Sequence, residues 1–305
     1  MRIFVTGASG LLGLNLCLTC TDQGHAVTGL VNSCSLQGVP FDVHAVNLLE
    51  RGKAKAVLAE AQPEAIIHCA AIADLNVAEK DPKLAERVNG EVPGMLAEEA
   101  RRLGIPFIHI STDAVFDGRV SAYVETDPTN PLSVYAQTKL QGEKAVMGAY
   151  PDAIVVRTVF YGWSLSGKRS LAEFFINNLE DGKPLKGFTD TSFCPLYVED
   201  LAEVLLQMLK ADLHGIYHVV SPEHLSKYAF GVQLARTFGF NPDLITPVEV
   251  QHVIRGATRS NTLILNPDKI QRALGHPLPS IESGVRRFYQ RWQEGYPARL
   301  THFGG

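Results

Sequence analysis

The chain has 305 residues, 46% of them hydrophobic, a formal net charge of −4 and no basic block. That apolar content supplies a sizeable core and excludes a disordered chain. The missing basic patch excludes a nucleic-acid binder working through phosphate contacts. No apolar run approaches bilayer-spanning length, and the first residues read as a core strand and not as a signal peptide. The protein is therefore expected in the cytoplasm, without a membrane partner.

Arg2-Ile3-Phe4-Val5 is an apolar, β-branched run suited to a buried strand. Thr6-Gly7-Ala8-Ser9-Gly10-Leu11-Leu12-Gly13 follows and opens a leucine-rich helix. Gly7 lets the chain turn off the strand, Gly10 lets backbone approach a pyrophosphate, and Gly13 lets the helix lie close to the strand. The helix N-terminus then offers unpaired N–H groups and a positive dipole end to phosphates. Gly7, Ser9, Gly10, Leu11, Leu12 and Gly13 are thus candidate contacts for a dinucleotide. Cys17-Leu18-Thr19-Cys20 has CxxC spacing but lies inside that helix without a second pair, so it reads as core packing. The odd total of five cysteines suits a reducing compartment. The ten histidines show no zinc-binding spacing, and no metal site is expected.

Ala26 to Val31 reads as a second strand. An acidic residue at its end would repel a 2′-phosphate, but Asn32-Ser33 stands there. That favours NADP, with NAD still admissible. A third strand around Asp42 to Val46 leads into Asn47-Leu48, which joins the cofactor candidates. Arg51 to Gln62 reads as a helix. A fourth strand, Ala65 to Ala71, ends in Cys69, Ala70 and Ala71, small enough for a cofactor to lie across the sheet edge. Pro82 to Gly104 is mostly helical, with Pro93 expected to kink or restart it. Pro106 to Ser111 is a fifth strand. Repeated β-α units with right-handed crossovers give an α/β fold, a Rossmann-type doubly wound parallel sheet.

The fifth strand runs out in Ser111-Thr112-Asp113, and a proline-rich loop leads to a helix over 133–150. Tyr135 and Lys139 lie four apart on that helix and share a face. A phenol is neutral at pH 7, and an adjacent ammonium is expected to lower its pKa. Such a pair can deliver a proton to a carbonyl oxygen during hydride addition. A hydroxyl from Ser111 or Thr112 can hold the same oxygen. Ala153 to Arg157 is a sixth strand, after which the alternation breaks. Helices are expected over 171–179, 198–210 and 225–238, a loop over 182–195 and a strand over 215–220. Two further helices are expected near 267–274 and 281–292. No repeat or linker appears, so the domains should interleave. Residues 1–157 with 195–221 would bind the dinucleotide. Residues 158–194 with 222–305 would form a smaller substrate-binding domain.

The segments Thr6–Gly13, His68–Ala71 (HCAA), Ser111–Gly118 (STDAVFDG), Tyr123–Pro131, Tyr135–Glu143 (YAQTKLQGE), Val156–Gly162 and Cys194–Ala202 share one pattern. With them the chain resembles an extended short-chain dehydrogenase/reductase and is similar to the dTDP-4-dehydrorhamnose reductase group. The resemblance implies Thr112, Tyr135 and Lys139 as the catalytic set, with Lys139 also holding the nicotinamide ribose. It implies a nucleotide-linked keto sugar as substrate, reduced at a ring ketone with NADPH. Asn15 stands where that group carries an acidic residue implicated in a magnesium-linked dimer, so the metal is not carried over. A homodimer is left open. Arg157-Thr158-Val159-Phe160 and Arg259-Ser260 depart from the group's Arg-Thr-Ser-Trp and Arg-Pro stretches, where substrate would be read. Ser111, Phe160 and Arg259 are the substrate candidates. Phe160, Tyr161 and Trp163 read equally as pocket lining or core. Two alternatives remain: a nucleotide-sugar epimerase on the same scaffold, or a non-catalytic NADP-binding subunit. The regulatory β subunit of methionine adenosyltransferase, which resembles this family, exemplifies the latter.

Overall fold

The structure is a computed structural model that describes residues 1–120, 122–250 and 262–304. A seven-stranded, wholly parallel sheet forms its centre. The strands are β1 (Arg2–Thr6), β2 (Ala26–Val31), β3 (Asp42–Ala45), β4 (Ala65–His68), β5 (Phe107–Thr112), β6 (Ile154–Thr158) and β7 (Gly215–His218). Their spatial order is β3-β2-β1-β4-β5-β6-β7. The order reverses between β1 and β4, and a crevice opens beyond the strand ends at such a reversal. Every residue of β4, β5 and β6 is buried, as expected for strands covered by helices on both faces.

Helix α1 (Leu11–Asp22) follows β1 directly. It buries Leu12, Leu14, Leu16, Cys17, Leu18 and Cys20 in the larger of the two cores flanking the sheet. Burial pushes both thiols up, Cys20 to about 12, so this CxxC pair packs as small apolar side chains. On the opposite face, α2 (Arg51–Ala61) and α3 (Val92–Leu103) cover Phe4, Ile66 and Phe107. Pro93 behaves as expected: a π-helical segment, Glu86–Glu91, ends just before it and α3 restarts there.

Helix α4 (Val134–Ala149) is capped by Ser133, whose hydroxyl accepts from the Ala136 N–H at 3.3 Å. The expected loop over 182–195 holds two short strands. Leu185–Phe188 pairs with Ile245–Val248, and Ser192–Phe193 pairs with both Leu225–Ser226 and Thr262–Leu263. Those pairings are non-local, and such short segments carry little periodic pattern. For the same reason the helix expected from Leu225 begins only at Lys227. A C-terminal helix, Tyr296–His302, was also not signalled by its sequence. The larger core runs unbroken from Ile3 and Val5 to Phe230, Phe288 and Phe303.

Candidate active site

The glycine turn is built to order. Gly7 has φ +70°, and a Cβ there would lie 2.8 Å from Ala70 backbone. A Cβ at Gly13 would lie 2.1 Å from the Gly7 carbonyl oxygen, so this position holds helix against turn. At Gly10 a Cβ would meet only the Gly7 oxygen, at 3.1 Å, and the residue is exposed. The Gly10 backbone therefore fronts open space at the N-terminus of α1, an arrangement that fits a pyrophosphate. Ser9, Leu11, Cys69 and Ala70 are half-buried around it, Leu12 is buried in the core, and Ala71 is exposed. Asn32, Ser33 and Asn47 are exposed at the ends of β2 and β3, with Leu48 half-buried beside them. Asn47 Oδ1 accepts from the Leu49 N–H at 3.0 Å. Gly10→Ala should weaken NADP binding tenfold or more in calorimetry while moving the melting temperature little. Gly13→Ala should lower stability by about 1–3 kcal/mol through overpacking, visible in a denaturant titration.

Lys139 sits on α4, almost wholly buried. Its ammonium donates to the Ile110 carbonyl at 2.6 Å and lies 3.4 Å from His109 Nε2. His109 stacks on His68, its register partner on the neighbouring strand, with ring centroids 5.4 Å apart. His68 Nδ1 bonds Thr6 Oγ1 at 2.6 Å, and that oxygen also accepts from the Ala70 N–H. Burial pushes both imidazoles down, His68 to about 3 and His109 well below its ordinary range, so both rings are neutral. The residue before the first glycine is thus linked through two rings to the buried lysine. Each histidine, taken alone, reads as an ordinary structural residue. Their adjacency was visible only in the strand pairing.

Burial lowers Lys139 to about 8, with the Glu143 carboxylate opposing the shift. A lysine lowered in this way is charged at neutral pH and loses its charge as the pH rises through 8. Turnover that depends on the ammonium should fall on the alkaline side from about pH 8, as a kcat/KM profile would report.

Tyr135 is half-buried one turn earlier. Its pKa is raised to about 12, by burial first, with the Thr112 hydroxyl opposing and the Asp113 carboxylate adding to the rise. This corrects the expectation that Lys139 lowers it. The lysine is directed at Ile110 and His109, so desolvation of the phenolate outweighs attraction to the ammonium. A phenol so placed keeps its proton at neutral pH.

Thr112 ends β5 beside that phenol. Its hydroxyl donates to Asp113 Oδ1 at 3.0 Å and accepts from the Ala114 N–H at 3.2 Å. Ser111 points elsewhere, because alternate residues of a strand face opposite ways. Its hydroxyl donates to Glu143 Oε1 at 2.5 Å, inside the interface between sheet and α4. That bond commits the Ser111 proton to Glu143. Tyr161 and Trp163 prove to be core: Tyr161 packs edge-on against Phe230 and Phe288, and Trp163 stacks on Phe288 at 4.1 Å. Phe160 is half-buried and pairs with Leu196. Arg259 lies outside the described residues. Asn15 is fully occupied. Its amide donates to the Leu11 and Trp163 carbonyls, and its oxygen accepts from the Tyr296 hydroxyl.

Comparisons with known proteins place the chain in a family. Residues 1–294 match the family described as RmlD substrate binding domain. The chain belongs to that family. It is similar to the probable low-salt glycan biosynthesis reductase Agl14 of Haloferax volcanii, 34% identical over 93% of this chain and 96% of that protein. It is also similar to methionine adenosyltransferase 2 subunit beta of Bos taurus, 31% identical over 88% and 81%. The structure of dTDP-4-dehydrorhamnose reductase from Bacillus anthracis, in complex with NADP, aligns with TM-score 0.83 at 25% identity. That match covers 95% of this chain and 99% of that one. The Rossmann-type sheet of this family member is thus the one its strand order displays.

Proposed function

We propose that the protein reduces the ring ketone of a nucleotide-linked sugar with NADPH, as an oxidoreductase of the extended short-chain dehydrogenase/reductase type. The observation that carries this reading is the half-buried, protonated Tyr135 between Thr112 and the helix turn bearing Lys139, on the β5 side of the sheet reversal. Bound NADPH supplies the reducing equivalent, and Gly10, the α1 N-terminus, Cys69 and Ala70 would hold it. Asn32 and Ser33 would sit by its adenosine ribose, where no carboxylate repels a 2′-phosphate. Tyr135 delivers the proton to the carbonyl oxygen, since a phenol so placed is protonated at neutral pH. The buried ammonium of Lys139, one helical turn on, would hold a ribose hydroxyl of the cofactor.

Residues 1–157 with 195–221 form the cofactor half in this reading, and 158–194 with 222–305 the substrate half. No helix among the described residues is long and apolar enough to cross a membrane. All five cysteines are unpaired thiols, which fits the reducing environment of the cytoplasm. The test is NADPH absorbance in the presence of dTDP- and UDP-linked 4-keto sugars. Consumption of NADPH with formation of the alcohol supports a reductase. Turnover without net consumption would move the assignment to an epimerase. The beta-subunit relative motivates a second reading, a cofactor-binding partner of another enzyme. Tight NADP binding without turnover of any keto sugar, together with a stoichiometric partner in a pull-down, would select it.

A further inference from the structure

We propose that Asp113 is a positioning residue that sets the direction of the Thr112 hydroxyl bond: ionised, it accepts the Thr112 hydrogen bond, and protonated, it frees that hydroxyl to donate to a substrate ketone. The inference rests on the ketone-reductase reading above and deepens it.

A threonine hydroxyl has one proton and two lone pairs. Here the proton is directed at Asp113 Oδ1, 3.0 Å away, and one lone pair receives the Ala114 N–H. The Tyr135 phenol lies close enough to interact with the Thr112 hydroxyl. A ketone oxygen only accepts hydrogen bonds, so in this arrangement Thr112 has nothing to offer it. An alcohol carries a hydrogen, and the spare lone pair of Thr112 can accept it. The ionised arrangement therefore matches the alcohol, and the protonated one matches the ketone. In the protonated state the Asp113 O–H donates to Thr112 Oγ1, and the Thr112 proton turns to the ketone.

The surroundings allow both states. Asp113 opens a short 3-10 turn and is nearly buried. Among the described residues, three titratable groups from other elements act on it or feel its charge. They are Lys227 at the start of its helix, Tyr135 on α4, and Cys194 in the segment returning towards α5, the helix Val198–Lys210. Burial raises its carboxyl to about 6, against the Thr112 bond and the Lys227 ammonium. Its proton is thus exchanged within the range where an enzyme is assayed.

Two measurements test this. The first is the Asp113 carboxyl titration followed by carbon-13 NMR in the protein without added ligand. In Thr112→Val the carboxyl should titrate at higher pH than in wild type, by half a unit or more, because the donated bond stabilises the carboxylate. An unchanged titration overturns the proposal, whatever the substrate is. The second is the pH profile of kcat/KM for reduction of a nucleotide-linked 4-keto sugar. In wild type the value should rise as pH falls through the Asp113 titration. In Asp113→Asn, whose amide donates to Thr112 at every pH, that dependence should vanish. Parallel wild-type and Asp113→Asn profiles overturn the proposal. If wild type turns over no keto sugar, the reductase reading fails and the NMR titration alone decides the hydroxyl direction.

Discussion

Tyr135→Phe is expected to lower keto-sugar reduction by about 10²–10⁴-fold, the usual contribution of a positioned proton donor. NADP affinity should stay near the wild-type value. The phenyl ring keeps the packing of a half-buried side chain and removes only the proton that must reach the carbonyl oxygen. The size of the loss separates two roles. A phenol that merely orients substrate gives a loss nearer tenfold, carried by KM. A phenol that donates the proton gives a loss carried by kcat. Steady-state kinetics with NADP calorimetry on the same preparation make the distinction. A variant retaining full kcat would remove Tyr135 from the chemistry.

Glu143→Ala is expected to cost about 3–5 kcal/mol of stability, the range for breaking a buried ion pair from one side. The Glu143 carboxylate takes bonds from Arg157 Nε and Nη2, the latter at 2.8 Å, and from the Ser111 hydroxyl. Both charged side chains are 3% exposed. Without Glu143 the Arg157 guanidinium stays buried between Phe116, 5.0 Å from its ring, and the Glu125 carbonyl, and loses its ion-pair partner. A fall in melting temperature of roughly 10 °C should follow for a chain of this size. Glu143 also holds the Lys139 pKa up, so its removal should shift the alkaline limb of the rate profile to lower pH. Replacing Glu143 and Arg157 together by apolar residues should restore most of the stability without restoring the position of that limb.

Much of this protein was legible in one dimension because its governing patterns are local. Gly7, Gly10 and Gly13 announce a strand-to-helix turn, since a side chain at Gly7 or Gly13 would collide with backbone and Gly10 leaves open space before the helix. The β-α alternation over the first six strands, broken only between the second and third, implies a parallel sheet, because parallel neighbours need a crossover connection. Tyr135 and Lys139 share a helix face by spacing alone. The substrate side was less readable, since its short strands pair across long separations and Phe160 has no periodic neighbour to place it.

The amino-acid order by itself determined the scaffold, the glycine turn and the placement of Tyr135 and Lys139 on one helix face. Spacing along one helix or one strand specifies all three. Only the tertiary structure decided what those groups do with their charges and protons. Ser111 turns towards α4 to bond Glu143, Thr112 donates its hydrogen bond to Asp113, and two histidines meet behind Lys139. Burial, not the neighbouring ammonium, governs the Tyr135 proton. These outcomes depend on which strands lie side by side and on how much water reaches each group, and neither quantity has a period in the sequence.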